Sequence, residues 1–172
     1  MKMKNILLGL VLSILSLSSW AVDGYKGVKF GSSIDDVINS KLCTIVISGS
    51  DVKGVTNYRC DDFDFAEKKT LAYFSFINGE FKRLIIRINP SVGLLVNSLE
   101  AKYGSPSFQT SEEDIKRSVV TSEPRDIMFD KNTIIVSVKK INGSDVALLS
   151  YTDPNYSAEY NALSNQKYND DI

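Results

Sequence analysis

Apolar positions recur along this chain with two periods, one helical and one strand-like, and the switches between them outline its elements. Residues 27–30 (Gly27-Val28-Lys29-Phe30) have strand character and stop at Gly31. Ser32 or Ser33 then caps a helix whose apolar residues Ile34, Val37, Ile38 and Leu42 follow i, i+3, i+4, i+8 spacing. Asp35 and Asp36 fall in its first turn, where the helix dipole favours negative charge. Two β-branched segments, 44–48 and 55–59, follow on either side of the turn-rich stretch 49–54. The acidic residues Asp61, Asp62, Asp64 and Glu67 read as a solvated link. The clearest hairpin comes next, with strands at 71–77 and 80–88 around Asn78-Gly79, the preferred type I′ pair.

The second half repeats this order. After Pro90, Ser91 is placed to cap a helix with Val92, Leu95, Val96, Leu99 and Tyr103 along one stripe. Gly104 suits the position just past its end, and Pro106 prevents resumption. The polar stretch 105–125 reads as a long loop or irregular excursion. Strands are expected at 126–129, 133–141 and 146–151, with turns at 130–132 and 142–145. The Asn- and Tyr-rich tail 154–172 has Tyr156, Tyr160 and Leu163 at a spacing that allows one weak helix.

Strands that follow one another through hairpins imply antiparallel pairing, so the fold class is α+β. Two layers are expected, an antiparallel sheet with two amphipathic helices on one face, and the order reads as two α-then-β units. Residues 22–153 form a single domain in this reading. Two short patterns carry a resemblance: Gly31-Ser32-Ser33-Ile34-Asp35-Asp36-Val37, a glycine before a capped first helix, and Lys102-Tyr103-Gly104-Ser105-Pro106, which closes the second. In these the chain resembles small secreted bacterial proteins built from helix-plus-antiparallel-sheet units. The β-lactamase inhibitory protein, with two such units, and outer-membrane assembly lipoproteins of the SmpA/BamE type are examples. The chain departs from the latter in lacking a lipid-bearing cysteine.

Residues 1–21 change which part of the chain must be interpreted. Lys2 and Lys4 precede an apolar run at 6–17, and Ser19 and Ala21 place small residues at −3 and −1 of a cleavage site. The run is shorter than the roughly 20 residues that span a bilayer, so it reads as a cleaved signal peptide that leaves no membrane anchor. Its loss takes the 20 basic against 21 acidic side chains of the full chain to 18 against 21, a mature charge of −3. Export to the periplasm makes Cys43 and Cys60 a disulfide rather than two thiols. With Ser48 facing Val55, the two cysteines would stand directly opposite each other on the flanking strands.

The chain contains no histidine. Ser-His-Asp and Cys-His catalysis are thereby excluded, as are zinc sites built on histidine or on four cysteines. No phosphate-binding glycine pattern is present, and the acidic mature charge argues against nucleic acid as a partner. Ser164-Asn165-Gln166-Lys167 matches S-x-x-K formally, but without its companion motifs. The carboxylates of 61–67 lack the spacing of a calcium loop. Neither they nor Glu112, Glu113 and Asp114 form a recognisable glycosidase pair. No metal, cofactor or catalytic residue is therefore assigned.

One positive feature remains. Continuous pairing outward from Asn78-Gly79 sets Phe76 against Phe81 and Phe74 against Arg83. Phe74, Phe76, Phe81, Arg83 and Arg87 then share a sheet face, and Leu71, Tyr73, Leu84, Ile86 and Ile88 occupy the other. If the aliphatic face lies under the helices, the phenylalanines and arginines form an exposed surface of the composition enriched at protein-binding hot spots. If the phenylalanine face is the core, the hairpin tip simply projects into solvent. The reading that fits best is a non-catalytic periplasmic protein that binds another protein. An inhibitor or immunity protein that blocks a toxin or envelope hydrolase by occlusion leads, ahead of an envelope assembly factor. A histidine-free carboxylate glycan hydrolase comes third.

Overall fold

The computed structural model describes residues 21–88, 92–121 and 123–169. Residues 1–20 of the expected signal peptide 1–21, the expected Ser91 cap and the last three residues lie outside them. The described chain begins with a two-stranded hairpin, β1 (Gly24–Tyr25) and β2 (Val28–Lys29), where one longer strand was expected. Helix α1 (Ile34–Asn39) starts at Ser33 with a reciprocal cap: the Ser33 hydroxyl accepts from the Asp36 backbone N–H, and the Asp36 carboxylate accepts from the Ser33 backbone N–H. Then come β3 (Val46–Ile47), β4 (Val55–Phe65), β5 (Lys68–Ile77) and β6 (Glu80–Ile88). Helix α2 (Val92–Tyr103) ends as expected at Gly104, whose positive φ lets its N–H return to Glu100 O.

The second half continues with β7 (Phe108–Gln109), α3 (Glu112–Thr121), β8 (Arg125–Phe129), β9 (Ile134–Ile141), β10 (Ser144–Thr152) and α4 (Tyr156–Asn169). Eight strands form one antiparallel sheet in the order β3-β4-β5-β6-β10-β9-β8-β7. Each half is thus a helix followed by four strands paired in chain order, with α3 inserted between β7 and β8 in the second, and the two sets join through their last strands, β6 and β10. The fold is α+β, as the sequence implies.

One face of the sheet is the core. Phe74, Phe76, Phe81, Leu84, Ile86 and Leu149 are all at most 2% exposed, beneath Val37 of α1, Leu99 of α2 and Val28 of the N-terminal hairpin. Burial of such side chains contributes roughly 1.5–3 kcal/mol each. The phenylalanine rings of residues 74, 76 and 81 pack 5.7–5.8 Å apart around Phe81.

Several expectations are corrected. The acidic link is strand: Asp61, Asp62 and Asp64 lie within β4, with a bulge between Cys60 and Phe63 that keeps both of those residues buried. The stretch 105–125 contains β7 and α3, and Ser111 caps the helix by accepting from the Asp114 backbone N–H. The helix that the tail's spacing allows is formed as α4 and is docked through Tyr156, Tyr160 and Leu163 on Val52, Val55 and Ile77. It covers part of the sheet face opposite to α1 and α2.

The Cys43–Cys60 disulfide is present, with a Cα–Cα distance of 6.2 Å, but not in the expected register. Val46 faces Arg59, Ile47 faces Tyr58, and Ser48 donates to Asn57 O, so Ser48 stands two residues away from Val55. Val55 is occupied elsewhere, opposite Ile77 and within the cluster under α4. Cys43 therefore reaches Cys60 from the irregular segment that precedes β3.

Candidate functional site

The hairpin at Asn78-Gly79 forms with both residues at positive φ and pairs Ile77 with Glu80 and Phe76 with Phe81, as its sequence dictates. Beyond that point the register slips: Ser75 faces Arg83 and Phe74 faces Leu84, which leaves Lys82 as an extra residue on β6. The bulge is fixed from several sides. Phe81 exchanges backbone hydrogen bonds with Gly31 and Ser32, Lys82 O accepts from the Asp153 N–H, and the Lys82 ammonium reaches Glu80 and Glu159 at 3.1 and 3.3 Å.

This single extra residue overturns the expected surface. Phe74, Phe76 and Phe81 are core, at 0–2% exposure, so they cannot present a hot spot. Leu84, Ile86 and Ile88 join them on the same face. Arg83 and Arg87 are carried to the opposite face, away from the phenylalanines. A bulge changes which side of a sheet each later residue occupies. The sequence holds a signal for it: apolar residues at 84, 86 and 88 keep period 2, but the step from Phe81 to Leu84 is three residues.

The face that receives the arginines differs from the core face in cover and composition. Towards the Asn142-Gly143 turn, among the described residues, no helix residue lines it. There Leu71, Tyr73, Ile85 and Leu148 are half-buried and form the floor of an open trough of about 560 Å³, edged by Arg87 and Lys139. Adjoining it through Tyr73 and Ile85 is a cavity of about 540 Å³ under α4, lined by Arg83, Asn57, Ser75, Tyr156 and Tyr160. Among the described residues, no aspartate or glutamate lines either depression, although acidic residues outnumber basic ones in the chain. Among the described residues, no carboxylate forms an ion pair with Arg83, Arg87 or Lys139. Three unpaired cations therefore sit along an apolar and hydroxyl-rich floor.

Other candidate groups are occupied. Asp61 pairs with Arg59 and Asp64 with Lys69, while Asp62 accepts from the Thr44 backbone N–H and hydroxyl. Those two Thr44 bonds, the backbone one first, hold the Asp62 carboxyl below its ordinary range. Cys43, Cys60 and Asp62 lie close enough together to suggest a metal set, but both sulfurs are consumed in the disulfide. Glu112 and Glu113 occupy the exposed first turn of α3. A separate groove of about 480 Å³ between α2, α3 and the sheet contains the Arg125–Asp145 pair, at 3.3 Å.

A family model described as "Uncharacterised protein" matches residues 25–171, and the chain belongs to that family. It is similar to an uncharacterized protein of Haemophilus influenzae (strain ATCC 51907 / DSM 11121 / KW20 / Rd), with 30% identity over 179 aligned positions covering all of both chains. The uncharacterized protein PM0314 of Pasteurella multocida (strain Pm70) is 24% identical over 76% of this chain and 71% of its own. No solved structure matches. The disulfide fits a protein that works outside the cytoplasm, and among the described residues no helix is long and apolar enough to cross a membrane.

Proposed function

We propose that this is a non-catalytic periplasmic protein-binding module, an inhibitor or immunity protein that blocks a toxin or envelope hydrolase by covering it with the uncovered sheet face. The observation that carries the reading is the trough itself: an apolar floor of Leu71, Tyr73, Ile85 and Leu148, edged by Arg87 and Lys139 and without a lining carboxylate. In a chain of acidic net charge, such a patch favours an acidic surface on the partner, because complementary charge steers encounter and penalises wrong partners. Aromatic and arginine side chains over an apolar floor are the composition enriched at interface centres.

The test is capture from periplasmic extract by the mature protein, followed by assay of the captured enzyme. One stoichiometric enzyme partner is expected, its activity falling as the protein is added. The Arg87→Glu/Lys139→Glu double variant is expected to release it. Equal capture and inhibition by that variant would sink the proposed face. Recovery of an outer-membrane complex instead would favour an assembly role.

A further inference from the structure

The cavity under α4 has a chemistry of its own. Arg83 lines it, partly buried, with no carboxylate partner. The guanidinium donates to the Ser150 hydroxyl at 3.2 Å and lies 5.3 Å from the centre of the Tyr156 ring, while its buried Nε–H has no acceptor. A buried guanidinium N–H without a partner is costly, and the fork of an arginine matches a carboxylate through two parallel bonds. Tyr156 and Tyr160 stack at 5.8 Å along the α4 wall, and Asn57, Ser75 and Asn161 add amide and hydroxyl groups around the opening. A volume of about 540 Å³ is in the range of small-molecule sites.

We propose that the Arg83 cavity is a binding site for a small carboxylate ligand, with Arg83 taking the carboxylate and the surrounding amides and hydroxyls taking neighbouring polar groups. Arg83 is held in place from two sides: the Lys82 bulge sets its face and Ser150 accepts from its guanidinium, while the Tyr156 ring of α4 lies against it. The same carboxylate chemistry could come from a sugar acid or from an acidic peptide side chain. The site does not require that the neighbouring trough bind a protein.

The experiment is a titration of isotope-labelled protein, followed by amide NMR, with galacturonate and with N-acetylglutamate α-amide, whose one carboxylate is that of the side chain. Galactose and N-acetylglutamine α-amide serve as neutral counterparts. Saturable shifts at Asn57, Ser75, Arg83 and Ser157 are expected with at least one acid and with neither neutral analogue. Which acid binds distinguishes the two sources. Arg83→Gln should weaken binding at least about tenfold, whereas Arg87→Gln should leave it unchanged. Ser157 is exposed at the cavity wall, so Ser157→Trp should block binding without disturbing Arg83, even if the Arg83 variant folds poorly. Equal shifts from the neutral analogues or from chloride at matched ionic strength would overturn the site. So would no saturable shift with either acid, or undiminished binding in Ser157→Trp.

Discussion

Phe74 stands opposite Leu84 at the centre of the sheet, both fully buried, while Arg83 faces Ser75 on the reverse side. Adjacent residues of one strand thus have opposite duties, and substitutions along β6 should separate into two classes. Phe76→Ala or Leu84→Ala should each cost about 2–5 kcal/mol, by lost burial and a cavity that the packed rings cannot close. Arg87→Ala, on the uncovered face, should stay within about 0.5 kcal/mol of the parent. Urea denaturation of the three variants is the measurement, and a comparable loss for Arg87→Ala would contradict the assigned faces.

Lys82 is the pivot of the bulge. Its side chain is nearly buried yet reaches two carboxylates, Glu80 on its own strand and Glu159 on α4. Burial pulls its pKa down, but the hydrogen bonds to Glu80 and Glu159 outweigh that and raise it above the ordinary lysine value. A raised folded-state pKa means that the contribution is complete below the ordinary lysine range and fades as pH climbs through the folded value. Lys82→Ala should therefore destabilise the protein at pH 7 and loosen α4, seen as faster amide exchange at Tyr156 and Tyr160. Glu159→Gln should also loosen α4 but cost less stability, because Glu80, on β6, still pairs with Lys82. Unchanged exchange in α4 with Lys82→Ala would show that the helix is held without this pair.

Much of this architecture is legible in the sequence because local chemistry and global fold agree there. Asn78-Gly79 can hardly be anything but a tight hairpin, Ser33 with Asp36 caps α1, and Gly104 ends α2. The disagreements arise where a long-range contact decides. The bulge at Lys82 forms where Gly31 and Ser32 bond to Phe81 and where Asp153 and Glu159 bond to Lys82, all of them distant in sequence. Helix α4 has little amphipathic contrast and is ordered by Val52, Val55 and Ile77. Helix α3 is different: Ser111 followed by Glu112-Glu113-Asp114 is a local start signal, masked by the polarity of the surrounding stretch. The candidate site was only half legible, since Arg83 and Arg87 were singled out but on the wrong face.

The disulfide joins Cys60, wholly buried in β4, to Cys43 on the irregular segment that leads into the edge strand. With the partners 17 positions apart in sequence, the chain-entropy model gives a stabilisation of roughly 3 kcal/mol. The Cys43→Ser/Cys60→Ser variant should lose about that amount while keeping the hairpin at Asn78-Gly79. Native mass spectrometry with alkylation should find no reactive thiol in the parent. Two alkylated thiols would show that the cysteines are not joined.

Tyr25 of the N-terminal hairpin and Tyr151 of β10 bring their rings to 4.9 Å on the core side of the sheet. Burial pushes the Tyr25 phenol up to about 12. Tyr151 is raised as well, first by burial and then by the neighbouring phenols of Tyr103 and Tyr25. The unfolded chain ionises its tyrosines near about pH 10, so the stability these groups confer is complete below that pH. It is lost as pH rises from there through the folded values, because ionisation then favours the unfolded state. Stability should consequently fall steeply above pH 10, and tyrosinate absorbance should develop in step with unfolding rather than ahead of it for these two residues. Tyr25→Phe removes one titrating group but keeps the ring, so it should make the alkaline loss shallower with little change at pH 7. If the slope above pH 10 is the same in Tyr25→Phe as in the parent, this pair does not govern the alkaline transition, and the contacts of Lys82 become its principal source.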